Sequence, residues 1–373
     1  MVPATVSNVA CTMDGIMELS YFQHNLIFKK PSGTSRGILT EKPSWFIEIK
    51  DAKGNKGMGE CSVIPGLSPD FETEVVYQEK LNSVLANLKE SLLSITDFSI
   101  REDYTFSDES LRGFIASLAE FPSLVFGIET ALLSLWAKNN CLFQNDFSAG
   151  KKAIPINGLI WMGKKEFMQD QIQQKLNDGF EVIKMKIGAI DFESELDLLK
   201  NIRQNYSQDK ITLRVDANCA FTPEQAKVIL HQLKQLDIHS IEQPIATKQW
   251  SAMHELCQLN DVPIALDEEL IGFHNFQDKT KLLDTIQPPY IILKPSLHGG
   301  ISGTFEWIYL AEQRGIKWWI TSALESSVGL DAIAQFAGEF NDLLPQGLGT
   351  GSIYVNNFPS KLMVEKGTIR RIN

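Results

Sequence analysis

The sequence predicts an α/β protein in two parts, an N-terminal α+β domain followed by a parallel (β/α) barrel. Two features of the apolar pattern lead there. Before about residue 65 apolar residues alternate with the period of strands, and after residue 150 short β-branched runs alternate with longer helical segments. Parallel strands need crossover connections, so alternation of the second kind implies a parallel sheet with helices on its faces.

Each element follows from the same pattern. Trp45, Ile47 and Ile49 alternate with Phe46, Glu48 and Lys50, and Asp51-Ala-Lys-Gly-Asn-Lys-Gly57 supplies a turn into an antiparallel partner. From Phe71 to about Leu93, and from Asp108 to Glu120, apolar residues recur at three and four, as on amphipathic helices. A helix from about Leu124 to Lys138 stacks Leu124, Ile128, Leu132 and Leu135, and is expected where the two parts meet. The strands expected next are Ala153 to Leu159, Val182 to Ile187, Ile211 to Asp216, His239 to Glu242, Pro263 to Asp267, Tyr290 to Lys294 and Trp318 to Ser322. An eighth is expected near Gly347 to Thr350.

Composition narrows the function. With 46 acidic and 35 basic residues the chain carries a net charge of −11 and no basic cluster, which argues against a nucleic-acid partner. Five scattered cysteines without CxxC spacing favour reduced thiols and a cytoplasmic protein. No run approaches the ~18 apolar residues of a membrane span, and the first residues lack the basic-then-apolar order of a secretory signal. A protein that is neither exported nor membrane-spanning is expected.

The polar residues of the barrel strands fall at their C-terminal ends. Lys186 ends its run; Asp216 follows 30 residues later, Glu242 after 26 more, Asp267 after 25, Lys294 after 27 and Ser322 after 28, each step about one βα unit. Such ends converge on one mouth of a barrel, where barrel enzymes keep their active sites. Three carboxylates held together would repel unless a cation sat among them, and an all-oxygen set without His or Cys suits Mg²⁺ or Mn²⁺ rather than Zn²⁺. The two lysines flank the acidic arc, so a substrate resting on the metal would present one face to each. Lys184 shares a strand face with Lys186, and its like charge, with the nearby cation, would help lower the high ordinary pKa of a lysine base. The expected chemistry is proton abstraction alpha to a carboxylate, with the metal stabilising the enediolate.

Lys184-Met-Lys186, Asp216-Ala-Asn218, Glu242-Gln-Pro244, Asp267-Glu268 and Lys294-Pro295, in this order and spacing, resemble the enolase superfamily in its muconate-lactonizing subgroup. The resemblance implies a modified TIM barrel, (β/α)7β, spanning about 123–355, with an N-terminal α+β capping domain over 1–122. It also implies a final segment, 356–373, that returns to the cap. Gly57-Met-Gly-Glu60 is similar to a strand-turn motif of that cap, and Thr34-Ser-Arg-Gly37 to a mobile loop that closes over the substrate, with Thr34 and Arg36 as candidate contacts. Arg214-Val-Asp-Ala-Asn218, Ser322-Ala-Leu-Glu-Ser-Ser-Val-Gly329 and Gly347-Leu-Gly-Thr-Gly351 carry a finer resemblance. It is to the branch that dehydrates a succinyl-hydroxycyclohexadiene carboxylate to o-succinylbenzoate in menaquinone biosynthesis. By that likeness Lys186 removes the alpha proton and then assists departure of hydroxide, Lys294 faces the developing enediolate, and Asp216, Glu242 and Asp267 bind Mg²⁺. Arg214, Asn218 and Glu268 would support them, and the loop from Ser322 to Ser326 would meet the succinyl tail.

Two departures matter. Glu269 stands where many relatives carry a small residue, and the loop near the eighth strand lacks the Asp-x-Asp pair with which dipeptide epimerases hold an ammonium. The alternatives on the same scaffold are an N-acylamino acid racemase or a cycloisomerase. More remote are a Schiff-base lyase and a barrel that only binds. His298, Met185 and Met162 read as neighbours or packing residues, and Gly299-Gly-Ile-Ser-Gly303 lacks the ending of a nucleotide loop. The partner expected is a small carboxylate; oligomeric state stays open.

Overall fold

The computed structural model describes residues 16–34, 37–93, 95, 97–137 and 141–372. Arg36 lies outside them, and of Thr34 only the backbone is described. The described residues open with three antiparallel strands in the order β1 (Ile16–Thr34), β2 (Gly37–Asp51) and β3 (Lys56–Ser62). The β2–β3 turn is fixed by Asp51, whose Oδ1 accepts from the amides of Lys53 (2.9 Å) and Asn55 (2.8 Å), and by Gly54 at φ +85°. Helices α1 (Glu74–Leu92), α2 (Glu109–Ala116) and α3 (Pro122–Trp136) cover one face of this sheet.

Contact between β3 and α3 is unusually close, and glycine makes it possible. Along β3, Gly57, Gly59 and Cys61 face the helix while Glu60 and Ser62 point the other way, because strand side chains alternate. A Cβ on Gly59 would lie 1.9 Å from the carbonyl oxygen of Gly127, and one on Gly127 would lie 2.3 Å from the Cys61 sulfur. Leu124, Ile128 and Leu132 of α3 join Trp45, Ile47 and Leu81 in the cap core, whereas Phe126 joins the barrel core. The helix expected at the junction is thus shared by both cores.

The barrel follows β4 (Ile154–Pro155). Among the described residues it has seven parallel strands in sequence order, β5 (Gly158–Ile160), β6 (Val182–Lys186), β7 (Thr212–Asp216), β8 (Ser240–Glu242), β9 (Ile264–Leu266), β10 (Tyr290–Leu293) and β11 (Lys317–Ile320). Their crossover helices are α4 (Lys165–Asn177), α5 (Phe192–Asn205), α6 (Pro223–Lys234), α7 (Trp250–Gln258), α8 (Phe276–Ile286), α9 (Gly300–Glu312) and α10 (Ser327–Ala337). The eighth stave is shorter and earlier than the sequence suggests. Gln346 pairs in parallel with Ile156 beside β5, and Gly347 with Thr321 beyond β11, so two residues join the ends of the sheet. The sequence run read as one strand from Ala153 divides in two. β4 pairs antiparallel with the last hairpin, β12 (Leu362–Glu365) and β13 (Thr368–Arg371), and β5 enters the barrel.

Before that hairpin the chain touches the cap. Val355 donates its amide to Ile27 O (2.9 Å), Asn356 Oδ1 accepts from Ile27 N (2.8 Å), and Phe358 packs on Phe46 with ring centroids 4.7 Å apart. Among the described residues no helix is long and apolar enough to cross a membrane.

The close strand–helix contact gives a direct test. Replacing Gly59 by alanine forces a methyl into the α3 backbone, so Gly59→Ala should lower stability by about 2–3 kcal/mol in urea unfolding. An unchanged midpoint would show that the helix is free to move away.

Candidate active site

Alternation along the barrel strands decides which side chains enter the lumen. On β7, Leu213 and Val215 join the apolar layer beneath the helices, and Arg214 and Asp216 point inward. On β6 the inward pair is Lys184 and Lys186, level with Arg214 and Asp216 respectively. Asp216 is in turn level with Glu242 on β8. Low in the lumen, Ala265, Ile292 and Trp319 make a small apolar core. Above it lies a charged layer.

The charged groups pair closely. Lys184 Nζ lies 2.5 Å from Glu242 Oε2 and 3.0 Å from Asp216 Oδ2. Lys186 Nζ meets the same Asp216 oxygen at 3.0 Å and donates to Asn218 Oδ1 at 2.6 Å. The expected closeness of the two lysines is therefore seen, with one carboxylate oxygen between them. Across the mouth, Lys294 Nζ contacts both oxygens of Asp267, at 2.7 and 2.5 Å. With four steps of an eight-stave ring between β6 and the strand that precedes Lys294, Lys186 and Lys294 approach the lumen from opposite sides.

Burial governs the protonation balance. It works against the charge of Lys184 and of Lys294, but the neighbouring carboxylates, led by Asp216 and by Asp267 respectively, outweigh it and push both lysines up. Burial also opposes ionisation of Asp216, where Lys184 and Lys186 prevail and hold the carboxyl well below its usual range. Glu242 goes the other way, pushed up to about 8 by burial and by Asp216 and Asp267 despite Lys184. Its Oε1 is buried and has no hydrogen-bond partner among the described residues.

That unpartnered oxygen bears on the metal. Among the described residues no three acidic, histidine or cysteine side chains close around one point as they stand, since lysine ammoniums lie between the carboxylates. The donors are nevertheless all oxygen, and Glu242 has an atom that only a cation or a donor could satisfy. Asp216, Glu242 and Asp267 fit a hard divalent ion that displaces the ammoniums.

Lys184, Lys186, Asp216, Asn218, Glu268 and Lys294 line the floor of a cavity of about 270 Å³. The cap covers it with Leu39, Ile64, Pro65 and Leu67, and the far wall includes Asn157, Trp161, Ser322, Leu324 and Thr350. Strain gathers at this mouth. Asn218, Gln243 and Leu324 hold φ of +42°, +36° and +60°, values that non-glycine residues rarely adopt outside constrained sites.

The supporting residues divide. Asn218 bridges Lys186 and Glu268, donating to Glu268 Oε1 at 3.0 Å. Arg214 does not line the cavity: its guanidinium lies 4.1 Å above the Trp319 ring, donates to Pro345 O at 2.7 Å, and is lowered to about 10 by burial against the pull of Glu242. Ser322 and Ser326 donate their hydroxyls inward, to Glu325 Oε2 and Glu60 Oε2, both at 2.6 Å. Glu269 faces away and accepts from Lys248 N and Trp250 Nε1, both at 2.8 Å, so it fastens the loop after β8. His298 Nδ1 accepts from Lys294 N at 2.9 Å, which makes it a backbone brace rather than a shuttle. Sequence reasoning missed Asn157 and Thr350, whose Oδ1 and Oγ1 are buried at the cavity wall and without a partner among the described residues. A lone amide in the apolar run Ile154 to Ile160 was the available signal for the first.

Residues 167–371, more than half of the chain, match the family model described as enolase C-terminal domain-like. This chain belongs to the enolase superfamily. Within that superfamily it is 47% identical to an o-succinylbenzoate synthase of Desulfotalea psychrophila, over 95% of this chain and 98% of the relative. A crystal structure of MenC from Desulfotalea psychrophila superposes with a TM-score of 0.80 at 44% identity, covering 96% of this chain and all of that one. A D-Ala-D/L-Ala epimerase of Cytophaga hutchinsonii is 28% identical over 95% of this chain and 89% of its own.

Arg214 supplies the test here. Lysine keeps its charge but neither the flat stack on Trp319 nor the forked donor, so Arg214→Lys should cost about 2 kcal/mol of stability with the substrate KM unchanged. Preserved stability with a raised KM would instead put the guanidinium on the substrate.

Proposed function

We propose that this chain is an o-succinylbenzoate synthase. It would dehydrate 2-succinyl-6-hydroxy-2,4-cyclohexadiene-1-carboxylate to o-succinylbenzoate in cytoplasmic menaquinone biosynthesis, with Mg²⁺ as its ion and Mn²⁺ as a substitute. The 47% identity over nearly the full length of both chains carries the choice of substrate. The opposed lysines at a carboxylate-lined cavity support the reaction class.

The chain's own groups can perform each part of the elimination. A cavity of about 270 Å³ suits a single-ring acid, and Leu39, Ile64 and Leu67 give it an apolar cover. Lys186 Nζ acts as the base that removes the alpha proton. The same nitrogen then returns that proton to the departing hydroxide, so one water leaves and the ring becomes aromatic. Asn218 Oδ1 orients Lys186 through both steps. Lys294, kept as ammonium by Asp267 and Glu268, presents positive charge to the other face of the ring. When bound by Asp216, Glu242 and Asp267, the divalent ion supplies positive charge to the substrate carboxylate as its alpha carbon is deprotonated.

A second reading is an amino-acid racemase or epimerase, favoured by the opposed lysines and the likeness to the Cytophaga hutchinsonii enzyme. Against it, Gly347-Leu-Gly349 offers no carboxylate for a substrate ammonium at the closing stave.

Purified enzyme should form o-succinylbenzoate, lose that activity in chelator and regain it with Mg²⁺. Lys186→Ala should fall by at least ~10³-fold in kcat. Turnover that survives Lys186→Ala would refute the mechanism. Alpha-deuterium exchange into both enantiomers of an N-acylamino acid, without dehydration, would favour the racemase.

A further inference from the structure

Apart from the site itself, a long chain of buried polar contacts runs from the cap into the barrel. Ser44 on β2 is level with Ser62 on β3, so Lys42, Ser44, Glu60 and Ser62 share the sheet face turned away from α3. All four are buried, Lys42 and Glu60 at 0% exposure. Lys42 Nζ donates to Ser44 Oγ and Ser62 Oγ, each at 2.8 Å, and Ser44 Oγ donates to Glu60 Oε1 at 3.0 Å. An ammonium and a carboxylate therefore face one another through a single hydroxyl.

The carboxylate makes its other contacts with the barrel. Ser326 N lies 3.0 and 2.9 Å from its two oxygens, Ser326 Oγ donates to Oε2 at 2.6 Å, and Gly329 N donates to Oε2 at 3.0 Å. These donors open α10, where amides lack partners within the helix and favour negative charge. Glu325, adjacent and wholly buried, extends the contacts: its oxygens accept from Ser322 Oγ and from Ser296 Oγ, both at 2.6 Å.

Both ends of this chain reach the cavity. Ser322, Ala323 and Leu324 belong to its wall, and Ser296 lies two residues beyond Lys294. Leu324 is held at φ +60° with its carbonyl accepting from Tyr354 Oη at 2.6 Å, a strained turn that relaxes unless its neighbours restrain it. On the cap side, Leu39 precedes Lys42 on β2 and Ile64 follows Ser62, and both cover the cavity.

We propose that Glu60 is a positioning residue for the reaction: it clasps the 322–326 loop and the first turn of α10 to the cap, and so assembles the cavity wall that binds the substrate's far end. This rests on the synthase reading above. The contact is built for a carboxylate, because an amide at position 60 would turn an NH₂ toward the donors of Ser326 and Gly329 and remove the larger of the two carboxylate influences on Lys42, leaving only Glu325.

The test compares wild type with Glu60→Gln, with the charge-balanced pair Lys42→Met/Glu60→Gln, and with Ser326→Ala, which removes one bond and no charge. Positioning predicts that KM rises by at least ~10-fold in Glu60→Gln while kcat changes much less, with a smaller rise in the same direction for Ser326→Ala. Hydrogen exchange should accelerate across 322–330 but not in the outer barrel helices. The double variant keeps the question open to refutation if Glu60→Gln does not fold, since it removes one cation and one anion together and should still show the raised KM. Lower melting temperatures with wild-type KM and wild-type exchange at 322–330 would overturn the proposal. A wild type that does not dehydrate the substrate would instead remove the synthase reading, and the exchange measurement alone then decides whether Glu60 orders the loop.

Discussion

Everything at the barrel mouth depends on balancing charge that has been taken out of water. Lys184, Lys186 and Lys294 have side chains 11–13% exposed, and their carboxylate partners Asp216, Glu242 and Asp267 0–2%. None of the six could stay ionised there alone, because removing one partner of a buried pair leaves an uncompensated charge. With all six ionised, three against three is formally neutral. A divalent cation and a substrate bearing two carboxylates would then enter as a neutral pair, and Glu242, the acid with an empty oxygen, is the member least satisfied before they arrive.

The fold serves this balance in two ways. Parallel strands in sequence order bring the six groups to the same end of the barrel, from β6 to the end of β10, with backbone rigid enough to hold like charges close. The cap then seals the mouth, and its own seat on the barrel is polar as well as apolar. Glu129 on α3 accepts from Ile301 N at 2.6 Å and from Ser302 Oγ at 2.5 Å, just as Glu60 on β3 reaches the start of α10. Two cap-side carboxylates thus meet the amino ends of consecutive barrel helices. The motif Gly57-Met-Gly-Glu60 contains both halves of the junction, glycines that admit α3 and an acid that crosses to the barrel.

The strand ends were legible because alternation and the length of a βα unit are local properties that survive without coordinates. For the same reason the charged ring could be named residue by residue. What the sequence concealed depends on long-range partners. Ser322 and Ser326 read as hydroxyls for a succinyl tail, and only the fold reveals that Glu325 and Glu60 accept their hydrogen bonds. Arg214 reads as a site residue because it sits two positions before Asp216, yet two residues along a strand is a full layer of the lumen, so it stacks on Trp319 under the site. Glu60 and Ser326 are 266 positions apart, a separation at which no periodicity reports contact. The eighth stave was misplaced by a residue or two because, at Gln346 and Gly347, it is too short to show any period.

The central claim is that two lysines address opposite faces of a ring whose carboxylate rests among three acids. The most direct measurement is a crystal structure of the enzyme with Mg²⁺ and o-succinylbenzoate. The ion should be bound by Asp216, Glu242 and Asp267, with Lys186 Nζ and Lys294 Nζ on opposite sides of the aromatic plane. An ion bound elsewhere, or both lysines on one face of the ring, would contradict it.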